Sequence, residues 1–458
     1  MADHRRTPGG PGIRRWLALG IGIKRWLAVV FLGELGLAVG LAFVLVHVYR
    51  DVQLDEPLQT VVSIVTLQFL WYGHRALILA TVGVALFGYA TWRVIAVLLG
   101  PFRSSDEDRP LVEVIYQKRL LARGPRIVTL GGGTGMSTLL RGLKEHTSNL
   151  TAIVTVADDG GSSGKLRTQL GVPPVGDIRN CLVALADAEP LMGRLLQYRF
   201  PGDDAPESLA GHAMGNLLIA AMTAVEDGDF EEGVRRMNRV LAVRGQVVPV
   251  SPTPLVLHAQ LADGSELEGQ SRITATSGIA RVWLRPEAVR ASADALSAIA
   301  DADLIVIGPG SLFTSVLPSL LLPEIRAALA ASQAPRVYVC NVATQGGETA
   351  GFDLAAHVEA LERHAAGGLI DIVLANNRIS DRSGVVGATA RIGTADGDAV
   401  RLRWPPAGDR LPRLVLDDLL DRTDPRHHDP ERLAAALLQI AERDRVTRRR
   451  SGGVARSA

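Results

Sequence analysis

Hydrophobic and polar positions divide this chain into two zones. From Trp26 to Tyr49 the run is almost wholly apolar, broken only by Glu34 and His47. Ala76 to Leu99 is a second such run, broken by Arg93. Each is long enough to cross a hydrocarbon core of about 30 Å as a helix. The segment between them includes a third apolar stretch over 58–72. Beyond residue 125 the pattern changes to short apolar runs that stop at loop residues. These predict strands at Ile127–Leu130, Ala152–Val156, Leu304–Ile307, Val337–Asn341 and Ile370–Ala375. Helical spacing lies between most of them, from Leu139 onward and over Asp177–Leu185, Asn216–Ala224 and Phe230–Leu241. Strands alternating with helices predict a doubly wound, mostly parallel α/β sheet. In the middle, Leu255–Gln270 alternates in places around Asp263-Gly264, which predicts an inserted β-hairpin.

Charge sets the orientation. Arg5, Arg6, Arg14, Arg15, Lys24 and Arg25 precede the first long apolar run, and Arg103, Lys118, Arg119, Arg123 and Arg126 follow the second. The positive-inside rule places both ends in the cytoplasm. The expected organisation is a basic tail at 1–25, a two-span transmembrane hairpin at 26–100 and a linker at 101–124 with a helix over 111–122. A cytoplasmic domain at 125–445 and a basic disordered tail at 446–458 complete it. A membrane, spanned twice, is the expected location. The formal net charge of +1 and 5% aromatic content argue against a nucleic-acid partner. The two cysteines, Cys181 and Cys340, lack metal-ligand spacing and read as reduced, buried thiols.

Candidate chemistry gathers where strands stop. After the first strand come Gly131, Gly132, Gly133, Thr134 and Gly135, followed by Ser137 and Thr138. Glycines let a backbone turn tightly beside a phosphate, and a helix N-terminus favours an anion. Ser137 and Thr138 are placed to cap that helix. The spacing is neither G-x-G-x-x-G nor a P-loop, which disfavours an NAD-dependent dehydrogenase. Asp158 and Asp159 end the second strand, where a carboxylate can hold ribose hydroxyls; with Asp177 they can instead place Mg²⁺ beside a phosphate. Ser162 and Ser163, within Gly160–Gly164, read as a second backbone nest. Asp177 stands at an N-cap position, with Arg179 and Asn180 on the next turn. His212 and Asn216 open another helix, and the histidine's near-neutral pKa suits acid–base work. The second half repeats the device with Gly308, Gly310 and Ser311, and then with Asn341 and Thr344. Two such loops in one domain predict a crevice at the topological switch point for a diphosphate.

This set of segments resembles the family that joins the bacterial gluconeogenesis factors (YvcK-like) to 2-phospho-L-lactate transferase (CofD-like). The matching stretches are Gly131–Ser137, Thr155–Leu166, Gly176–Leu182, Gly211–Leu218, Asp303–Ser315, Cys340–Thr349 and Arg426-His-His-Asp-Pro430. Ala157–Gly164 and Gly176–Cys181 point to the gluconeogenesis-factor branch. The resemblance implies a Rossmann-like core and a UDP-sugar ligand such as UDP-N-acetylglucosamine. It also implies support of cell shape and envelope synthesis on gluconeogenic carbon, beside envelope-building proteins. The transferase branch implies instead a Mg²⁺-dependent phospholactyl transfer to a deazaflavin precursor. A membrane hairpin departs from the family pattern, and a homo-oligomer is left open.

Overall fold

The computed structural model describes residues 111–187, 190–201, 209–365, 367–377, 399–404 and 411–454, with scattered positions between 33 and 90. The chain divides into two compact units, Met1–Gln117 and Lys118–Ala458. In the first, helical pieces appear at 33–36, 81–85 and 87–90, and their apolar side chains are exposed. The greater part of the expected hairpin, and all of 1–25, lie outside the described residues. Among the described residues no single helix is long and apolar enough to cross a membrane. The expected helix at 111–122 is present as Leu111–Leu121.

The second unit is built on a parallel sheet of seven strands. In chain order the strands are β1 (Ile127–Gly131), β2 (Leu150–Val154), β3 (Gln246–Pro249), β4 (Val256–Leu261), β5 (Glu266–Glu268), β6 (Ile279–Arg285), β7 (Leu304–Ile307), β8 (Arg336–Val339), β9 (Ile372–Asn376) and β10 (Arg413–Asp417). The large sheet runs β10-β9-β8-β7-β1-β2-β3, and every pairing in it is parallel. Successive strands first step outward from β1 to β3, then return to β1's other side with β7. The strand order therefore reverses between β1 and β7, the position at which open α/β sheets form a ligand crevice. β1 and β7 are buried along their whole length, as continuous apolar runs covered on both faces must be.

The sequence expectation and the structure differ at the sheet's edges. β3 and β10 were not predicted: each is short, with an exposed first residue, and β3 ends in a proline. β2 starts at Leu150 and β8 stops at Val339, so Asn341 lies in the loop beyond β8 and not on the strand. The inserted hairpin is real, with β4 and β5 antiparallel. β6 adds to the other side of β4, completing a three-stranded sheet in the order β5-β4-β6.

At the carboxyl terminus a helix spans Pro430–Val454, so 446–454 continue a helix where a disordered tail was expected. Its buried Leu433, Ala434, Leu437 and Ile440 pack on the helix Gly133–Leu143 that follows β1. Each such leucine or isoleucine contributes about 1.5–3 kcal/mol relative to exposure. Close approach requires Gly142, where a Cβ would collide with the Pro430 carbonyl and lie 3.1 Å from the Ala434 Cβ. This docking fixes the turn Arg426–Asp429 just ahead of the helix. Gly142→Leu is expected to destabilise the domain by about 1–3 kcal/mol through overpacking. Urea unfolding checks it, and an unchanged midpoint would contradict the packing.

Candidate functional site

Two glycine loops meet at the switch point. β1 ends at Gly131, and the helix Gly133–Leu143 starts with Gly132 at its N-cap, where no side chain caps it. Gly133 has φ +72°, a conformation that favours glycine. The expected capping by Ser137 and Thr138 is not found. Both lie inside the helix and donate back to the carbonyls of Gly133 (2.9 Å) and Thr134 (3.0 Å). Asp177 accepts the Gly133 N–H, so the rest of the first turn, Thr134 and Gly135, is what is left open to an anion. The second loop, Gly308–Ser311, follows β7; the Gly308 N–H donates to the Leu130 carbonyl at 2.9 Å. A Cβ on Gly135 would lie 3.0 Å from the Pro309 carbonyl carbon and oxygen, and one on Gly310 would lie 3.0 Å from the Gly132 oxygen. The two loops are packed backbone against backbone.

Asn341 braces the second loop. Its Nδ2 donates to the Gly310 carbonyl at 2.8 Å while its Oδ1 accepts from the Gly310 N–H at 3.2 Å. That reciprocal pair makes it a positioning residue more than the direct ligand expected. Gln345 Nε2 donates to Ser311 Oγ at 2.7 Å.

Between these loops lies a cleft of about 580 Å³. Of the expected site residues, Gly133, Thr134, Gly135, Gly310, Ser311, Asn341 and Thr344 line it. Thr138, read from the sequence as a cap, also lines it, as do Thr274 and Gln345 and a rim of Arg426, His427 and His428, none of which the sequence reading assigned to the site. The rim sits in the Arg-His-His-Asp-Pro motif, whose basic run ahead of a helix was the available signal. Arg426 and His427 both pair with Asp424, at 3.2 Å and 2.9 Å. His428 is buried, its Nε2 bonds the Cys340 carbonyl at 3.2 Å, and burial pushes its pKa down to about 4.

The remaining expected residues form a polar network on the far side of the Gly132 turn. Asp177 is in the first turn of the helix Gly176–Leu185 and is not its N-cap, which is Val175. Burial, then the neighbouring Asp158, push its carboxyl up to about 6. A hydrogen bond from the Gly133 N–H opposes that rise. Asp158 is raised too, mainly by burial. Ser163 Oγ accepts the Gly176 N–H at 3.1 Å. Gly161 opens a helix, Gly161–Leu170, where a backbone nest was expected. Ser162 Oγ accepts from the Ala213 N–H and from Asn216 Nδ2, which leaves its own proton for His212 Nδ1 at 3.1 Å. His212 is therefore neutral at Nδ1, and burial lowers its pKa. Its Nδ1 is committed to this structural contact. Arg179 donates to Asn216 (3.1 Å) and Asn180 (3.0 Å), while its buried Nε has no protein partner among the described residues. An orphaned buried donor costs about 1–3 kcal/mol unless water or a ligand accepts from it.

Asp159 departs from the expected acidic trio. Its Oδ1 accepts from the Ser271 N–H and hydroxyl, both at 2.8 Å, which pins the helix Gln270–Thr274 of the inserted segment to the core. The three carboxylates do not converge as a metal site. Among the described residues no group of three or more His, Cys, Asp or Glu is placed to hold a metal ion.

Glu348 was not singled out in the sequence. It is 1% exposed, accepts the Phe313 N–H at 2.9 Å and the Thr314 hydroxyl at 3.2 Å, and burial raises its pKa to about 7. Thr314 in turn accepts from Thr274 Oγ1 at 3.3 Å, so Glu348 supports one wall of the cleft. A carboxyl with a raised folded-state pKa contributes stability that is complete below the unfolded value. That contribution is lost as pH climbs through about 7. Relative to Glu348→Gln, the wild type is expected to lose stability between pH 5 and pH 8, by no more than about 3 kcal/mol. Urea unfolding of both at the two pH values checks it; parallel pH profiles would contradict it.

Comparison with known proteins agrees with this fold. Residues 127–392 match the family model described as 2-phospho-L-lactate transferase CofD. A gluconeogenesis factor of Halalkalibacterium halodurans is 44% identical over 315 residues, covering 68% of this chain and 95% of that protein. That of Bacillus subtilis is 50% identical over 259 residues, covering 56% and 80%. A crystal structure of a Bacillus halodurans protein superposes with a TM-score of 0.61 at 40% identity, over 69% of this chain and all of that one. Over its Rossmann-like domain, this chain belongs to the CofD-like family of gluconeogenesis factors.

Proposed function

We propose that this protein binds a nucleotide sugar of the UDP-sugar class, from the cytoplasmic face of a bacterial inner or plasma membrane to which residues 26–100 tether it. The observation that carries the reading is the cleft at the β1/β7 switch point. The helix N-terminus at Gly133–Gly135, whose N-cap Gly132 has no side chain, and the Pro309–Ser311 turn face one space, and Arg426 and His427 stand at its rim. Backbone amides there hold the diphosphate, the helix dipole favours its charge, and Arg426 pairs with it at the mouth. The volume suits a ligand of nucleotide-sugar size. Support of envelope synthesis, through contact with envelope-building proteins, is the biological role that fits such a ligand at that membrane.

Mg²⁺ belongs to the same proposal in reduced form. Asp158 and Asp177 are both raised by burial, Asp177 also by the charge of Asp158, and a divalent cation beside them would relieve that cost. They adjoin Gly133 through the Asp177 bond. Asp159 is committed to Ser271 and takes no part. The same acidic pair, with the match to the transferase family model, favours a second reading as a Mg²⁺-dependent phospholactyl transferase.

Calorimetric titration of the full-length protein with UDP-N-acetylglucosamine tests the binding. Gly135→Val, which wedges the two loops apart, is expected to abolish the heat. Arg426→Ala is expected to weaken affinity about tenfold or more, the scale of one charge-assisted hydrogen bond. Wild-type affinity in both variants would contradict the assignment. For the tether, deletion of residues 1–100 is expected to move the protein from the membrane pellet to the supernatant on fractionation. Intact chain already in the supernatant would contradict it.

A further inference from the structure

Away from the cleft, a second cavity of about 680 Å³ opens between β6 and the helices Pro323–Ala331 and Leu354–Ala365. It shares no lining residue with the first. Four arginines line it: Arg281 and Arg285 from β6, Arg326 from the first helix and Arg363 from the second. Several arginines of this domain are matched to carboxylates, as Arg235 is to Asp294 (2.9 Å), Arg336 to Asp371 (2.7 Å) and Arg432 to Asp418 (2.7 Å), while others are not. Among the described residues Arg281, Arg326 and Arg363 have no carboxylate at ion-pair distance. Two carboxylates line the cavity, and one of them, Glu287, is held by Arg285 at 2.5 Å. The other is Glu266 on β5.

Gathering like charges is unfavourable, and the placement of Arg326 adds to it. It sits in the opening turn of a helix, where the dipole disfavours a cation. The frame around the arginines is nonetheless firm. Arg281 lies over the Trp283 ring, 6.0 Å from its centroid, which orients the guanidinium without neutralising it. His364 locks β6 to its helix: Nδ1 donates to the Ala360 carbonyl at 2.7 Å, so Nε2 accepts the Val282 N–H at 3.1 Å. That bonding keeps His364 neutral, and burial, with Arg363 and Arg281 nearby, lowers its pKa in the same direction.

We propose that this cavity is a second ligand site, which takes a small molecule bearing a di- or polyphosphate on the forks of Arg281, Arg326 and Arg363. Guanidinium forks match phosphate oxygens in geometry and in charge. The cavity volume lies in the range of small-molecule sites. Such a ligand supplies the negative charge that the protein leaves out.

Inorganic pyrophosphate titrated into the full-length protein by calorimetry tests this. Three variants are compared with wild type: the double variant Arg281→Ala/Arg363→Ala, Arg326→Gln alone, and Gly135→Val in the first cleft. Expected is a saturable site that survives Gly135→Val and weakens about tenfold or more in the double variant, with unchanged thermal melting. Arg326→Gln, a single change that leaves the other two forks in place, weakens it as well. Absence of pyrophosphate binding to wild type would overturn the proposal. So would binding lost only in Gly135→Val, or arginine variants that bind as wild type does.

Discussion

Gly135 and Gly310 lie so close that neither can carry a side chain unless the other loop moves. This backbone-to-backbone approach depends on where β1 and β7 stand. They are adjacent and in register from Ile127 to Leu130, so their following loops leave the sheet at the same height. The hydrogen bond from the Gly308 N–H to the Leu130 carbonyl ties the loops together at their base. Small residues here serve two ends at once. They let the main chains touch, and they leave peptide groups, not side chains, facing the cleft.

Everything around the junction holds it from a different side. Asn341 reads the Gly310 peptide as another strand would, with one donor and one acceptor. Asp177 holds the Gly133 amide from beneath, at the expense of a strained carboxyl pair with Asp158. The helix Pro430–Val454, seated against Gly142, carries Arg426–His428 to the rim. Asp159 and Glu348 anchor the inserted segment on the remaining wall through Ser271 and, by way of Thr314, Thr274. The cleft is thus formed in advance, which lowers the ordering cost of binding.

Much of this was legible in the sequence because the signals are local. The parallel core was readable from uninterrupted apolar runs such as Leu304–Ile307, and the phosphate-type loops from their glycines. Edge strands β3 and β10 were not, because edges carry no continuous apolar run. Roles of individual polar residues were the least readable. Ser162, His212 and Asn216 looked like ligand groups, yet they satisfy one another across about 50 residues of chain, a pairing no local spacing encodes. Asp159 looked equivalent to its neighbour Asp158 until tertiary structure set Ser271 beside it. Arg426–His428 stand far along the chain from the glycine loop that they complete, and only the docking of the last helix brings them together.

A crystal structure of the protein soaked with UDP-N-acetylglucosamine tests the central claim most directly. The account predicts diphosphate oxygens within hydrogen-bond distance of the main-chain nitrogens of Thr134 or Gly135 and of Ser311, since Asp177 and Asn341 already accept the Gly133 and Gly310 N–H groups. A ligand seated elsewhere, with those amides bonded only to water, would contradict it.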